Sequence, residues 1–346
     1  MLLHRLRAET QGDGAPTLTI TGPAGGVRGQ IRTFTFAAND SSPIDRAANF
    51  TYRIDWNNDG VIDQTVVGPR SVCVDHVFTQ AGIQTISTSV MDKDGAVSAT
   101  IRKSVSITTI AVQSDPANPG QNCIVVGGTI GSDRMRFEID KPTGGVRVTL
   151  KGATLGVFSL LPTGASFFSI PSSASASRLG RLIAFGQAGD DVIEVASDVR
   201  LSAWLYGDAG SDQLSGGAGN NMLVGGADDD TLTVDAGRDV LLAGPGADTL
   251  IGGAGSDLLI AGANSFETSD AALSAVLRAW TAPTSYAARI AQLRAGLLVA
   301  TGNHRNLFDD TAIDSLTGND HQDWFFASTR DQLNGIVTGE IVDEFI

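Results

Sequence analysis

The chain has 346 residues, enough for two or three domains, and 38 acidic against 24 basic residues give a net charge of −14. That balance excludes a nucleic-acid partner and an anionic membrane surface, both of which need a basic footprint, and 41 glycines point to turns rather than helices. No stretch approaches 18 apolar residues, so no membrane span is expected.

Residues 1–14, MLLHRLRAETQGDG, hold only a short apolar run. They are expected to be a disordered leader and not a cleavable signal peptide. Two cysteines, Cys73 and Cys123, are too few for a disulfide framework and are expected to be small buried hydrophobes.

From residue 15 to 110, short alternating runs such as TLTITG, RTFTFAAND, NFTYRIDWNNDG and QTISTSVMDKDG are separated by turn residues, without helix signals. This spacing predicts an all-β sandwich. The stretches FTYRIDWNNDGVID and VDHVFTQAGIQTISTSVMDKDGAVS resemble the PKD (polycystic kidney disease) immunoglobulin-like domain, which implies a spacer or adhesive module meeting a cell-surface protein or carbohydrate. Within it, Asp55, Asn57, Asp59, Gly60 and Asp63 follow the order of an EF-hand loop, but Val66 stands where the bidentate Glu belongs, which favours a hairpin turn. Residues 111–122, with two prolines and few apolar groups, read as a linker.

A second all-β region is expected over residues 123–265, starting with long irregular rungs. VGGTIGSDRMRFEI and GQAGDDVIE already carry a nine-residue frame of glycines, aspartate and a large apolar residue, and GGVRVTLKG, TLGVFSLL and SFFSIP are strand-like. Gly207 to Ile260 then divides into six nine-residue units: GDAGSDQLS, GGAGNNMLV, GGADDDTLT, VDAGRDVLL, AGPGADTLI and GGAGSDLLI. The eighth position is always leucine. The sixth is Asp212, Asn221, Asp230, Asp239, Asp248 and Asp257, and the fourth is glycine except at Asp228.

Three residues per unit suffice only for a short strand, so two units make one circuit of a parallel β-roll with leucines inward. Sixth positions then stack in two columns, Asp212–Asp230–Asp248 and Asn221–Asp239–Asp257. This is the G-G-x-G-x-D-x-U-x nonapeptide, and the stretch resembles the RTX or hemolysin-type calcium-binding repeat, with regular repeats over 186–262. The resemblance implies several Ca²⁺ ions held by the side chains of Asp191, Asp212, Asn221, Asp230, Asp239, Asp248 and Asp257. Backbone carbonyls of Gly210, Gly219, Gly226, Gly237, Gly244, Gly246 and Gly255 complete the expected set. Asp133, Asp314 and Asp323 hold the same position in less regular units. Thirteen acidic residues between 186 and 260, against Arg200 and Arg238, also call for cations.

Residues 266–300 switch to helical spacing. Leu273, Val276, Leu277 and Trp280 follow Ser269, and a second run starts with Pro283 and ends at Gly296, giving a helical hairpin inserted in the coil. In 301–346 the frame resumes as DDTAIDSLT and GNDHQDWFF, where Asn319 and His321 replace glycines and weigh against an ion. The whole run, AWTAPTSYAARIAQLRAG then FDDTAIDSLTGNDHQDWFFA, resembles the carboxy-terminal ends of large bacterial surface proteins that carry these repeats. Trp324, Phe325, Phe326 and Phe345 are expected to close the end of the coil. The final Asp343-Glu344-Phe345-Ile346 suits a last strand or an uncleaved export signal.

No H-E-x-x-H, G-x-S-x-G, P-loop or C-x-x-C is present. His304, Asp309, Asp310, His321 and Asp323 are the nearest approach to a catalytic group. The expectation is a non-catalytic, extracellular or cell-surface calcium-binding protein. The alternative is the calcium-binding and secretion region of a larger protease or lipase.

Overall fold

The computed structural model describes residues 14–158, 179–300 and 305–345. Most of the expected leader, the SFFSIP strand, His304 and Ile346 lie outside the described residues. The chain divides into one compact unit ending at Thr109 and another from Ile110 onward.

The first unit is a sandwich of a three-stranded sheet, Thr17–Thr21, Ile31–Asn39 and Ser71–Val77, and a five-stranded sheet. The second sheet runs in the order Gly25–Val27, Ile101–Thr108, Gly82–Met91, Phe50–Asp55 and Gln64–Gly68. Alternation along the strands buries Phe34, Phe36, Phe50, Tyr52, Ile54, Ile86 and Val90 between the sheets. Cys73 faces solvent on its strand, contrary to expectation, because the pleat sends Val74 inward and its neighbour out. A five-residue helix, Pro43–Ala47, was also unforeseen. Ser42 caps it, accepting from the Asp45 N–H at 3.3 Å, with proline in its first turn.

The second unit is a parallel β-roll of two nine-stranded sheets. One stacks Leu205, Leu223, Leu241, Leu259, Phe325 and Val342 in register, and the other Ile193, Leu214, Leu232, Leu250, Leu316 and Leu333. Apart from Val342, which is exposed on the last rung, these ladders meet as one narrow core. The segment expected as a linker belongs to the roll. Ile110–Ser114 pairs antiparallel with Asn122–Gly127, and the Pro- and Asn-rich residues between them form the hairpin loop. Hairpin loops and linkers share the same turn residues, and only the flanking strands tell them apart.

The two sheets differ on their outer faces. Beside the inward ladder of the first sheet, Trp204, Met222, Val240, Leu258 and Trp324 form an outward row, and Tyr206, Val224, Leu242, Ile260 and Phe326 another, all of them buried. The corresponding positions of the second sheet are mostly polar: Gln213, Thr231, Thr249, Ser315, then Ser215, Thr233, Ile251, Thr317.

The helices Asp270–Trp280 and Tyr286–Arg294 lie over the apolar face. Tyr206 donates to Asp270 at 3.4 Å, Trp280 Nε1 donates to the Ser256 carbonyl at 2.9 Å, and the Trp280 and Trp324 rings are 6.1 Å apart. Arg238 reaches the Thr281 and Ala282 carbonyls at the end of the first helix. Ser285, not Pro283, caps the second helix. Trp324, Phe325 and Phe326 therefore do not plug an open end, whereas Phe345, after the last strand, packs half-buried against the core as expected. Phe325 fills an ordinary core position, while Trp324 and Phe326 point outward beneath the hairpin, and the strand Ile341–Glu344 adds a further rung. Phe345 packs 6.5 Å from Phe326.

Candidate metal centre

Each turn of the roll is built round its sixth residue. One column consists of Asp191, Asp212, Asp230, Asp248 and Asp314, the other of Asn221, Asp239, Asp257 and Asp323, and all are at most 2% exposed. The first oxygen of each carboxylate joins two rungs. Asp212, Asp230 and Asp248 Oδ1 each accept from the amide of the residue one rung earlier, Asp191, Asp212 and Asp230, at 2.7 Å. Asp314 accepts from Asp248 at 2.8 Å, Asp257 from Asp239 at 2.8 Å, and Asp323 from Asp257 at 2.6 Å.

The second oxygen is a different matter. Oδ2 of Asp191, Asp212, Asp230, Asp239, Asp248, Asp257 and Asp323 is buried without a hydrogen-bond partner. Buried carboxylate oxygens in a finished fold are paired, and an unpaired one is costly. Burial accordingly pushes these acids upward: Asp212 to about 6, Asp191, Asp248, Asp314 and Asp323 to about 7, Asp230 to about 8 and Asp257 to about 9. Neighbouring carboxylates add to the rise, and the amide donors oppose it.

The turn backbone supplies further oxygens. An added Cβ at Gly226 would lie 2.1 Å from the Asp208 carbonyl oxygen, and one at Gly244 would lie 2.0 Å from that of Gly226. Carbonyls of successive turns thus stack closely enough that only glycine fits above them, at φ of 121° and 109°. At Gly207 and Gly225 an added Cβ would instead strike the Asp212 and Asp230 carboxylates at 2.2 and 2.4 Å. Among the described residues no three His, Cys, Asp or Glu side chains converge on one point. An ion here must take most of its six to eight oxygens from the backbone, which suits a hard cation such as Ca²⁺. Unpartnered Oδ2 atoms beside stacked carbonyls fit that group.

Two expected ligands stand apart. Asn221 spends its whole amide inside the coil: Oδ1 accepts from Ala203 at 3.0 Å, and Nδ2 donates to the carbonyls of Gly217 and Gly219, both at 2.9 Å. The Gly219 carbonyl is engaged with it. Asp133, in the first rung, has Lys151 Nζ at 3.0 Å from Oδ1, and Thr129 at Oδ2. By contrast, Asn319 and His321 keep the glycine-like turn, each with φ of 77°, and Asp323 keeps its unpartnered oxygen. The carbonyls of Asp208 and Asp228 stack like those of the glycines. A reading guided by glycine passed over them, although any residue carries the same carbonyl.

The other candidates do not form sites. Asp55 accepts from Asp59 and Gly60 at 3.2 and 2.9 Å, and Asp63 from Trp56 at 2.7 Å, so the EF-hand-like loop is a hairpin turn fastened by its own amides. In the tail, Asp310 accepts from Gly246, Asp309 pairs with Arg330 at 3.6 Å, and Asp323 belongs to its column.

Residues 206–241 and 233–265 match the family model of the RTX calcium-binding nonapeptide repeat. This part of the chain is an array of RTX calcium-binding repeats. Among solved structures, the chain is similar to the PKD domain of an M14-like peptidase from Thermoplasmatales archaeon SCGC AB-540-F20. The identity is 24%, over 28% of this chain and 97% of that one, with a TM-score of 0.23. No curated protein matches the chain, and no helix among the described residues is long and apolar enough to cross a membrane.

Proposed function

We propose that the chain is a non-catalytic repeat protein of the cell exterior, in which calcium closes the roll and the sandwich serves as a spacer or adhesive unit toward a surface protein or carbohydrate. The observation that carries this reading is the set of seven buried carboxylate oxygens without partners, arranged in two columns beside stacked carbonyls. Asp191, Asp212, Asp230, Asp248 and Asp314 would hold ions along one side, and Asp239, Asp257 and Asp323 along the other. Bound calcium supplies the positive charge that lets these acids stay ionised while buried. Because the ions bind the folded roll and not the disordered chain, their binding energy is folding energy. The chain would then stay open at low cytosolic calcium and close outside the cell. Circular dichroism in calcium and in chelator tests this: a large loss of β signal in chelator is expected, and identical spectra would refute it.

A further inference from the structure

The Asn221 turn does what an ion would do, with an amide. Its Nδ2 sits between the carbonyl oxygens of Gly217 and Gly219, 2.9 Å from each, at a side chain with no exposed surface. These carbonyls occupy the second and fourth positions of the nonapeptide, four and two residues before the sixth. In the aspartate turns the same place in the sequence is occupied by a carboxylate whose Oδ2 meets no donor. An Asn differs from an Asp here in one respect that matters: its second terminal atom is a donor, so it satisfies the turn carbonyls and repels a cation.

The other column begins in a related way. The Asp133 carboxylate receives the Lys151 ammonium at 3.0 Å, so that turn also has a cationic donor of its own. Both columns therefore open, on the amino-terminal side, with a sixth residue whose second terminal atom already has partners in the chain: Thr129 at Asp133 Oδ2, and the two carbonyls at Asn221 Nδ2.

We infer that the Asn221 amide takes the place of a calcium ion, so that the Gly217–Asn221 turn is a permanently ion-free rung and the ion sites of its column begin at Asp239. This rests on the calcium reading above. A consequence is that Asn221→Asp opens a site the natural chain lacks: the donor is lost, and a carboxylate then faces the carbonyls of Gly217 and Gly219.

The test is the number of calcium ions bound to the full chain, counted by native mass spectrometry, with thermal unfolding measured at saturating and at limiting calcium. The Asn221→Asp variant should bind one ion more than wild type, melt lower at limiting calcium, and recover at saturating calcium. Asn221→Ala should keep the wild-type count while melting lower in both conditions. A wild-type chain without calcium would overturn the calcium reading and this inference with it. A calcium-loaded wild type whose count falls in Asn221→Ala, or stays unchanged in a folded Asn221→Asp, would overturn the inference alone.

Discussion

The sandwich and the roll use acidic residues in opposite ways. In the sandwich, Asp55 and Asp63 tie down their own hairpin by accepting backbone amides, and the core beside them is aromatic, with Phe34 and Phe36 packed on Trp56 at 5.7 and 5.9 Å. In the roll seven aspartates of the two columns each join two rungs with one oxygen and leave the other buried and unmet. One hairpin is completed by groups it already owns, while the regular rungs of the other unit keep carboxylate oxygens that no group of the chain meets. On the calcium reading proposed above, stability in a single chain is split into a part indifferent to calcium and a part governed by it.

Withdrawing calcium should break that contrast open. Limited proteolysis of the full chain in chelator should degrade the roll and leave the sandwich as a fragment ending near residue 109. Equal protection of both units would contradict the division.

Acid should move the two units in opposite directions. In the ion-free roll the aspartates have folded values of about 6 to 9, against about 3.9 in the unfolded chain. The folded form holds more protons between those limits, so its stability is greatest near the lower one and falls as pH rises. His76 is the reverse case: burial against Trp56, whose ring stacks on it at 4.1 Å, pushes it down to about 4. Its contribution is present above about 6.5 and is lost as pH falls toward 4. Differential scanning calorimetry in chelator, between pH 4.5 and 6.5, should show the sandwich transition rising with pH, while a roll transition, absent near pH 6.5, appears only toward pH 4.5. Parallel shifts would refute the assignment.

Core truncation should sharpen the boundary. Leu232→Ala removes a fully buried rung residue and should cost about 2–5 kcal/mol, and Phe34→Ala in the sandwich about 3–5 kcal/mol. Only the first should raise the calcium midpoint followed by circular dichroism. Smaller still, Asp230→Ala should remove an ion ligand and the acceptor of the Asp212 amide, lowering the calcium count. Asp235→Ala, at an exposed position, should stay within about 0.5 kcal/mol of wild type with the count intact. Equal counts for these two variants would mean that the sixth position is not the ligand.

The nonapeptide frame made the leucine ladders and the two columns legible, because a strict period converts sequence spacing directly into stacking. It did not reveal that Oδ1 serves the neighbouring rung, since a carboxylate at fixed spacing looks the same whether both of its oxygens or one remain available. Nor did the type of residue at the sixth position separate a ligand from Asn221, whose donor settles the matter only once the carbonyls it meets are located. One signal was present and unread. Units ending MLV, VLL, LLI and WFF alternate with QLS, TLT, TLI and SLT, and that alternation already marks one sheet as apolar on both faces. The two helices then have a face to cover. The Pro43–Ala47 helix was legible too, in Ser42-Pro43, but five residues leave no periodicity to find.

The cover also bears on how long such a roll can become. Its first helix runs from Asp270, at the Tyr206 rung, to Trp280, at the Ser256 turn three rungs on. Ten residue steps of helix span about 15 Å, and three rungs at strand spacing about 14 Å. Helix and sheet are therefore cut to matching length. Duplicating a pair of nonapeptides, the ordinary route by which repeat arrays expand, would add about 4.8 Å of bare apolar sheet and carry the Ser256 carbonyl away from the Trp280 indole. In this chain copy number is not free to drift, because the insertion measures the array it interrupts.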